Sequence, residues 1–297
     1  MMNKLTLAFL FCAWSVTTNA QQLLVAQAVQ VCSKGEQTAF QVLIPEAKLK
    51  NVETGWKKKL KTKSKAKVEE IGGEYIIYGA IDENIASGGF NVFSKLLETT
   101  EGVVLTVWFM RSDSVFISRE SAPDKSLAVE KYVRDFAVEE YRQVVSGQLN
   151  TENKKLSELE SDLKQLINNE EKANKKINEN ERSISRTKAD IRSNENDQKV
   201  KEAEVKKQKA VVESLKTSPG DAYKGAQKTL KQFESELKKQ VSENEKMHKQ
   251  IDKMEAEIRE EQRNIAQSVQ EQYQKRADID KQKTVVKTFE EKLSSIK

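Results

Sequence analysis

Two long heptad series flank a single proline–glycine pair, Pro219-Gly220, and between them they leave this chain few ways to fold. From Leu149 to Val212, eight of ten residues at seven-residue spacing are apolar, the exceptions being Glu170 and Gln198. From Leu230 to Leu293 the score is again eight of ten, with Asn244 and Gln272 as exceptions. Sustained spacing of this kind favours helices that supercoil left-handedly around an apolar seam. Proline removes a helical hydrogen bond and clashes with the preceding turn, so the helix is expected to stop at Pro219.

The two series are out of phase across the break, which argues against one straight rod. Folding back around Pro219 places each a position of the first helix against a d position of the second. In that register Asn194 meets Asn244 and Gln198 meets Gln240, so two polar layers lie side by side. A buried asparagine commonly fixes register at some cost in stability. Lys201, Glu261 and Lys275 also fall at seam positions, without matching partners there. Counting both a and d positions, 25 of 40 are apolar, which predicts an arm of modest intrinsic stability. Helices of nearly seventy residues would reach on the order of 100 Å at about 1.5 Å per residue.

The fold-back also predicts where the ends go. Phe289, Leu293 and Ile296 are expected near Leu149, and the turn at the far end. The tip residues Ser218, Pro219, Gly220, Asp221 and Tyr223 are the candidate partner-binding site, set against the plainer role of a connecting turn.

Composition shifts near Gly147. Nine of eleven glycines, two of three prolines and all three tryptophans lie at or before it. Three regions follow: a signal peptide over 1–20, a globular domain over 21–147, and a coiled-coil hairpin over 148–297 with its tip at 217–223. The first of these has a positive start at Lys4, an apolar stretch from Leu5 to Val16, and small residues ending at Ala20. That pattern predicts export with cleavage after Ala20. Cys12 follows Phe9-Leu10-Phe11 and lacks the small residue that precedes a lipidated cysteine. With the signal removed only Cys32 remains, so no disulfide can form within the chain. None of the sixteen asparagines lies in an Asn-x-Ser/Thr sequon, which favours a bacterial envelope, periplasm or cell exterior, over a eukaryotic secretory route.

The globular part reads as mixed α and β. Ala39–Ile44 is a strand ended by Pro45, and Leu49, Val52, Trp56 and Leu60 then recur at helical spacing. Lys67–Ile71 and Glu74–Tyr78 form a hairpin around Gly72-Gly73. Phe90–Glu98 and Val103–Met110 form another, with Val115–Ile117 as a short last strand. A helix opens at Pro123-Asp124, where proline is tolerated and an acidic residue suits the helix dipole, with Val129, Val133, Phe136 and Ala137 facing the core. The fold class is therefore α+β: a small two-layer domain, antiparallel sheet with two helices, followed by a long antiparallel helical hairpin. This element order resembles the repeat unit of the TATA-binding-protein-like folds, which implies an architecture and no function.

Seven lysines crowd between 57 and 67: Lys57, Lys58, Lys59, Lys61, Lys63, Lys65 and Lys67. They are a candidate patch for anionic lipid, polysaccharide or nucleic acid. The competing explanation is structural, since lysines suit a helix C-terminus and discourage edge pairing on a strand. The formal net charge of +5 over 297 residues is mild and does not suggest a nucleic-acid binder.

Catalysis has little support in the sequence. His248 is the sole histidine and falls at a flanking e position of the second helix. Metal-ligand clusters, activated nucleophiles and phosphate-binding loops are not evident, and no cofactor is expected. Asp82, Glu83, Glu98 and Asp113 are the carboxylates that could still meet in space. The expected function is that of an exported, non-enzymatic scaffold or adaptor whose arm contacts a protein partner in the bacterial envelope. No nucleic-acid partner and no membrane span are expected, and homo-oligomer formation stays open. The architecture resembles periplasmic adaptors and coiled-coil activators of cell-wall hydrolases. The alternative is a periplasmic holdase, because helical arms on a small β-containing body resemble the jellyfish-shaped trimeric chaperone that cradles unfolded outer-membrane proteins.

Overall fold

The computed structural model of the chain describes residues 23–62, 66–218 and 220–297. The expected signal segment, with Cys12 and Ala20, lies outside the described residues, as do Lys63, Lys65 and Pro219. The chain divides into two compact units, Met1–Leu156 with Lys281–Lys297, and Ser157–Asp280.

The first unit is built on a six-stranded antiparallel sheet of order β1-β2-β6-β5-β4-β3. Its strands are β1 Ala26–Cys32, β2 Gly35–Pro45, β3 Glu69–Ile71, β4 Glu74–Asp82, β5 Ala86–Thr99 and β6 Gly102–Arg111. The α+β class holds, and the central strands fall where period-two apolar patterning puts them. Three details differ from expectation. β1 is an additional strand, paired from Ala26↔Gln41 to Cys32↔Gly35 through a two-residue turn. β4 extends past Tyr78 to Asp82 because Gly79, at φ +69, lets the strand shift register, and Asn91 Oδ1 accepts its N–H at 3.0 Å. The segment Val115–Ile117 contributes only one bridge, Met110↔Phe116, in place of a strand.

The helix α1, Leu49–Lys61, buries Val52, Trp56 and Leu60, spaced four apart on one stripe. Trp56 anchors it: the ring lies 4.8 Å from Phe136, and Nε1 donates to Ser94 Oγ at 2.8 Å. Ser94 Oγ in turn donates to Tyr75 O at 3.0 Å, so the buried indole and hydroxyl are both satisfied. The helix α2 spans Pro123–Leu215 without interruption, so Gly147 marks a change of composition and not a helix end. Its first turns place Val129, Val133, Phe136 and Ala137 in the same core as Phe40, Ile44, Leu105 and Phe109.

The other face of the sheet carries a second cluster of Cys32, Ala39, Ile76, Phe93 and Trp108. The turn between β1 and β2 closes over it. Ser33 N donates to Glu74 Oε1 at 2.8 Å and Lys95 Nζ donates to Val31 O at 2.8 Å, tying the hairpin end to β4 and β5. Cys32 is thereby buried, and loss of hydration pushes its thiol pKa up, away from the reactive thiolate.

The helix α3, Asp221–Ser295, brings the chain back to this unit. Ile296 is only 1% exposed within the main core, and Phe289 and Leu293 pack against it. Arg142 Nη2 donates to Ile296 O at 2.8 Å. Glu46, held at φ +56 after β2, accepts from Gln148 at 2.7 Å and from Lys292 at 2.6 Å, clasping both helices. The heptad pattern places the C-terminal apolar residues here, but the Glu46 clasp gives no signal in a linear pattern.

Candidate functional site

Within the second unit, Ser157–Leu215 of α2 and Asp221–Asp280 of α3 form the antiparallel hairpin. Ile184, Ile191 and Ile251 are its buried centre, flanked by Met247, Met254 and Ile258. These residues face one another only in the fold-back register, because 184 must oppose 254 while 191 opposes 247.

The polar layers test that register residue by residue. Asn194 Nδ2 donates to Asn244 Oδ1 at 2.8 Å and lies 3.3 Å from Gln240 O. Gln198 and Gln240 do not close the matching bond: Gln198 Nε2 and Gln240 Oε1 are both buried without a partner. The two remaining polar a positions pair with each other, Gln272 Nε2 donating to Glu170 Oε2 at 2.6 Å. The asparagine pair is thus the satisfied half of the double layer, and the glutamines are its cost.

Lys201, Glu261 and Lys275 have no matching seam partner in the heptad pattern, and each finds one on the opposite helix just outside the seam. Lys201 reaches Glu236 at 3.0 Å and Glu204 at 2.7 Å, with its ammonium 4.8 Å from the centre of the Phe233 ring. Glu261 accepts from Lys176 at 2.8 Å, and Lys275 pairs with Asp162 at 3.1 Å. The hydrogen bond from Lys176 holds the Glu261 carboxyl below its ordinary range, and the bonds to Glu204 and Glu236 hold the Lys201 ammonium above its own. Long side chains lie along the seam and deliver their charges to its rim. Such exposed pairs add little stability singly, but mismatched registers would lose them together.

At the tip, α2 ends at Leu215 and α3 begins at Asp221. Ser218 N donates to Leu215 O at 3.1 Å, and Lys224 N donates to Gly220 O at 3.2 Å, so both helix ends find backbone partners. Ser218, Gly220 and Asp221 are exposed and Tyr223 is half-buried. Just inside, Gln208 Nε2 donates to Ala226 O at 3.0 Å, pinning the last turn.

Of the lysine run, Lys57, Lys58 and Lys61 line one shallow groove along α1 together with Lys50 and Glu53. Lys57 turns toward Glu53 at 2.6 Å and Glu70 at 3.3 Å and lies over the Tyr75 ring, and the hydrogen bond to Glu53 raises its pKa. Lys59 lies over the Tyr132 ring, 4.7 Å from its centre. Lys58 and Lys61 are exposed on α1, and Lys67 precedes β3.

The four singled-out carboxylates do not converge. Asp82 accepts from Asn84 in the β4–β5 turn, Glu83 lies in the same turn, and Asp113 pairs with Arg111 at 2.8 Å near that end of the sheet. Glu98 pairs in register with Val103, at the opposite end of β5. His248 is exposed. Among the described residues no group of three or more His, Cys, Asp or Glu side chains could hold a metal ion, and no helix is long and apolar enough to cross a membrane.

The carboxyl most displaced from its ordinary range is one that no sequence pattern singles out. Glu140 on α2 packs against Gly55 of α1, and burial, with a smaller contribution from Glu139, pushes its pKa up to about 6. It lines a cleft between α1 and α2 together with Gly55, Lys58 and Phe136. Compared with known proteins, the chain matches no family model and no curated sequence.

Proposed function

We propose that this protein is an exported, non-catalytic scaffold or adaptor of the bacterial envelope, in which a self-contained helical hairpin presents its tip to a protein partner. The observation that carries the proposal is that the apolar centre and the asparagine layer of the seam are closed within the hairpin, the Gln198–Gln240 layer excepted. Its isoleucine centre, the Asn194–Asn244 bond and the cross-helix ion pairs all lie within one chain. A hairpin that closes its own seam acts as a spacer: segments of about sixty residues extend on the order of 90 Å at 1.5 Å per residue. The export pattern before Gln21 supports an envelope location. The tip is the part of the hairpin where exposed turn residues and a half-buried tyrosine occur together.

The test is site-specific photo-crosslinking in cells, with the reactive group at Tyr223 compared with one at Lys58. Capture of one defined envelope protein at Tyr223, and not at Lys58, is the expected result. Capture of many unfolded outer-membrane proteins, together with suppression of their aggregation in vitro, would instead indicate the holdase. Retention of the chain in the cytoplasm would contradict the envelope assignment.

A further inference from the structure

We propose that β1 is a docking edge for a second copy of this chain, which adds to the sheet by antiparallel β1–β1 pairing across a two-fold axis. The two edges of the sheet are treated differently. β3 has three residues, two of them glutamates, and Glu70 is ion-paired to Lys57, features that discourage edge pairing. β1 has seven residues, and no charged residue occurs from Leu23 to Ser33. It has no proline, and Val29 and Val31 remain 65% and 60% exposed. The two cations beside β1 are themselves paired, Arg119 with Glu130 at 2.8 Å and Lys95 with Glu74 at 3.3 Å. The strand therefore meets its own copy without facing unpaired like charges, and isologous pairing is the commonest way two identical chains associate.

The geometry also sets the register. The two-residue turn makes Cys32↔Gly35 the closing bonded pair, so Gln30 and Ala28 point their backbone groups toward β2. The N–H and C=O of Gln27, Val29 and Val31 point outward. Lys95 Nζ already donates to Val31 O at 2.8 Å, which leaves Gln27 and Val29 as the pairing site. A two-fold axis at Ala28 satisfies both: Val29 of one copy exchanges bonds with Gln27 of the other. Ala28 then faces its own copy as a non-hydrogen-bonded pair, with Cα atoms about 4.5 Å apart, within disulfide range.

Sedimentation velocity on the full chain, together with crosslinking of Ala28→Cys in a Cys32→Ser background, tests this. A concentration-dependent dimer is expected, and the Ala28→Cys chains should oxidise to a disulfide-linked pair. Val29→Pro removes one outward N–H and no β1–β2 ladder bond, so it should weaken the dimer at least about tenfold with unchanged circular dichroism. A chain that stays monomeric up to roughly 0.5 mM, or a dimer that Val29→Pro leaves intact, overturns the proposal. If Val29→Pro fails to fold, the crosslink decides: a dimer without Ala28 disulfide overturns it too.

Discussion

The side-chain amide of Asn194 donates to Asn244 Oδ1 at 2.8 Å, joining residues fifty apart across the hairpin. That bond sits in the same register as Ile184 over Met254 and Ile191 over Met247, so one polar contact and two apolar layers agree. Replacing Asn194 alone by leucine strands the buried Asn244 amide and should cost about 1–3 kcal/mol in urea unfolding of the chain. Replacing both with leucine should recover that loss and give mixed registers or oligomers, visible as heterogeneous sedimentation.

The C-terminus belongs to the core of the first unit. Ile296 is buried there, and its carbonyl accepts from Arg142. Ile296→Ala should destabilise that unit by about 2–4 kcal/mol, read as a lower midpoint of the tryptophan-monitored transition, because Trp56 and Trp108 report on the sheet.

Two glycines should respond oppositely to alanine. Gly102 has φ +147, and a Cβ there meets the backbone of Ile44 and Glu46, which cannot move aside. Gly102→Ala should cost about 2–3 kcal/mol. At Gly55 the added Cβ meets only the carboxylate of Glu140, the far end of a flexible side chain. Gly55→Ala should be near neutral, helix propensity offsetting the displacement. Comparative thermal melts separate the two.

Glu140 gives a pH signature. Its ordinary pKa of 4.5 rises to about 6 in the fold, so the folded state holds the proton more tightly. Below about pH 4.5 the carboxyl is neutral in both states and the stabilisation is complete. As pH rises through 6 the unfolded state gains by ionising first, and roughly 1–2 kcal/mol is lost. Glu140→Gln should be more stable than the parent at pH 7.5 and should lack this decline, which melting temperatures at pH 4.5 and 7.5 would show.

Periodicity carries most of what is legible in the sequence. The heptads specify two helices and their pairing, and period-two runs locate β2, β5 and β6. β1 escapes such a reading because Ala26-Gln-Ala-Val-Gln-Val is short, small and placed directly after the export pattern, where apolar residues are discounted. The continuity of α2 through Gly147 is hidden by a genuine composition change, since one glycine costs a long helix only about 1 kcal/mol. Lys201, Glu261 and Lys275 look unmatched because their partners flank the seam, where a and d counting does not reach. Glu46 and Glu140 act through contacts between distant segments, which no local pattern encodes. The tip is identifiable as a turn from Pro219-Gly220, but partner chemistry is not written in a turn.

The central claim, that the two heptad series fold back on each other within one chain, is tested most directly by a single crosslink. In a Cys32→Ser background, Leu166→Cys and Gln272→Cys face each other in the fold-back register, consistent with Ser268 Oγ donating to Leu166 O at 3.4 Å one turn away. Mild oxidation should give a monomer of raised electrophoretic mobility. Products joined only between chains would contradict the hairpin and indicate an association of separate rods.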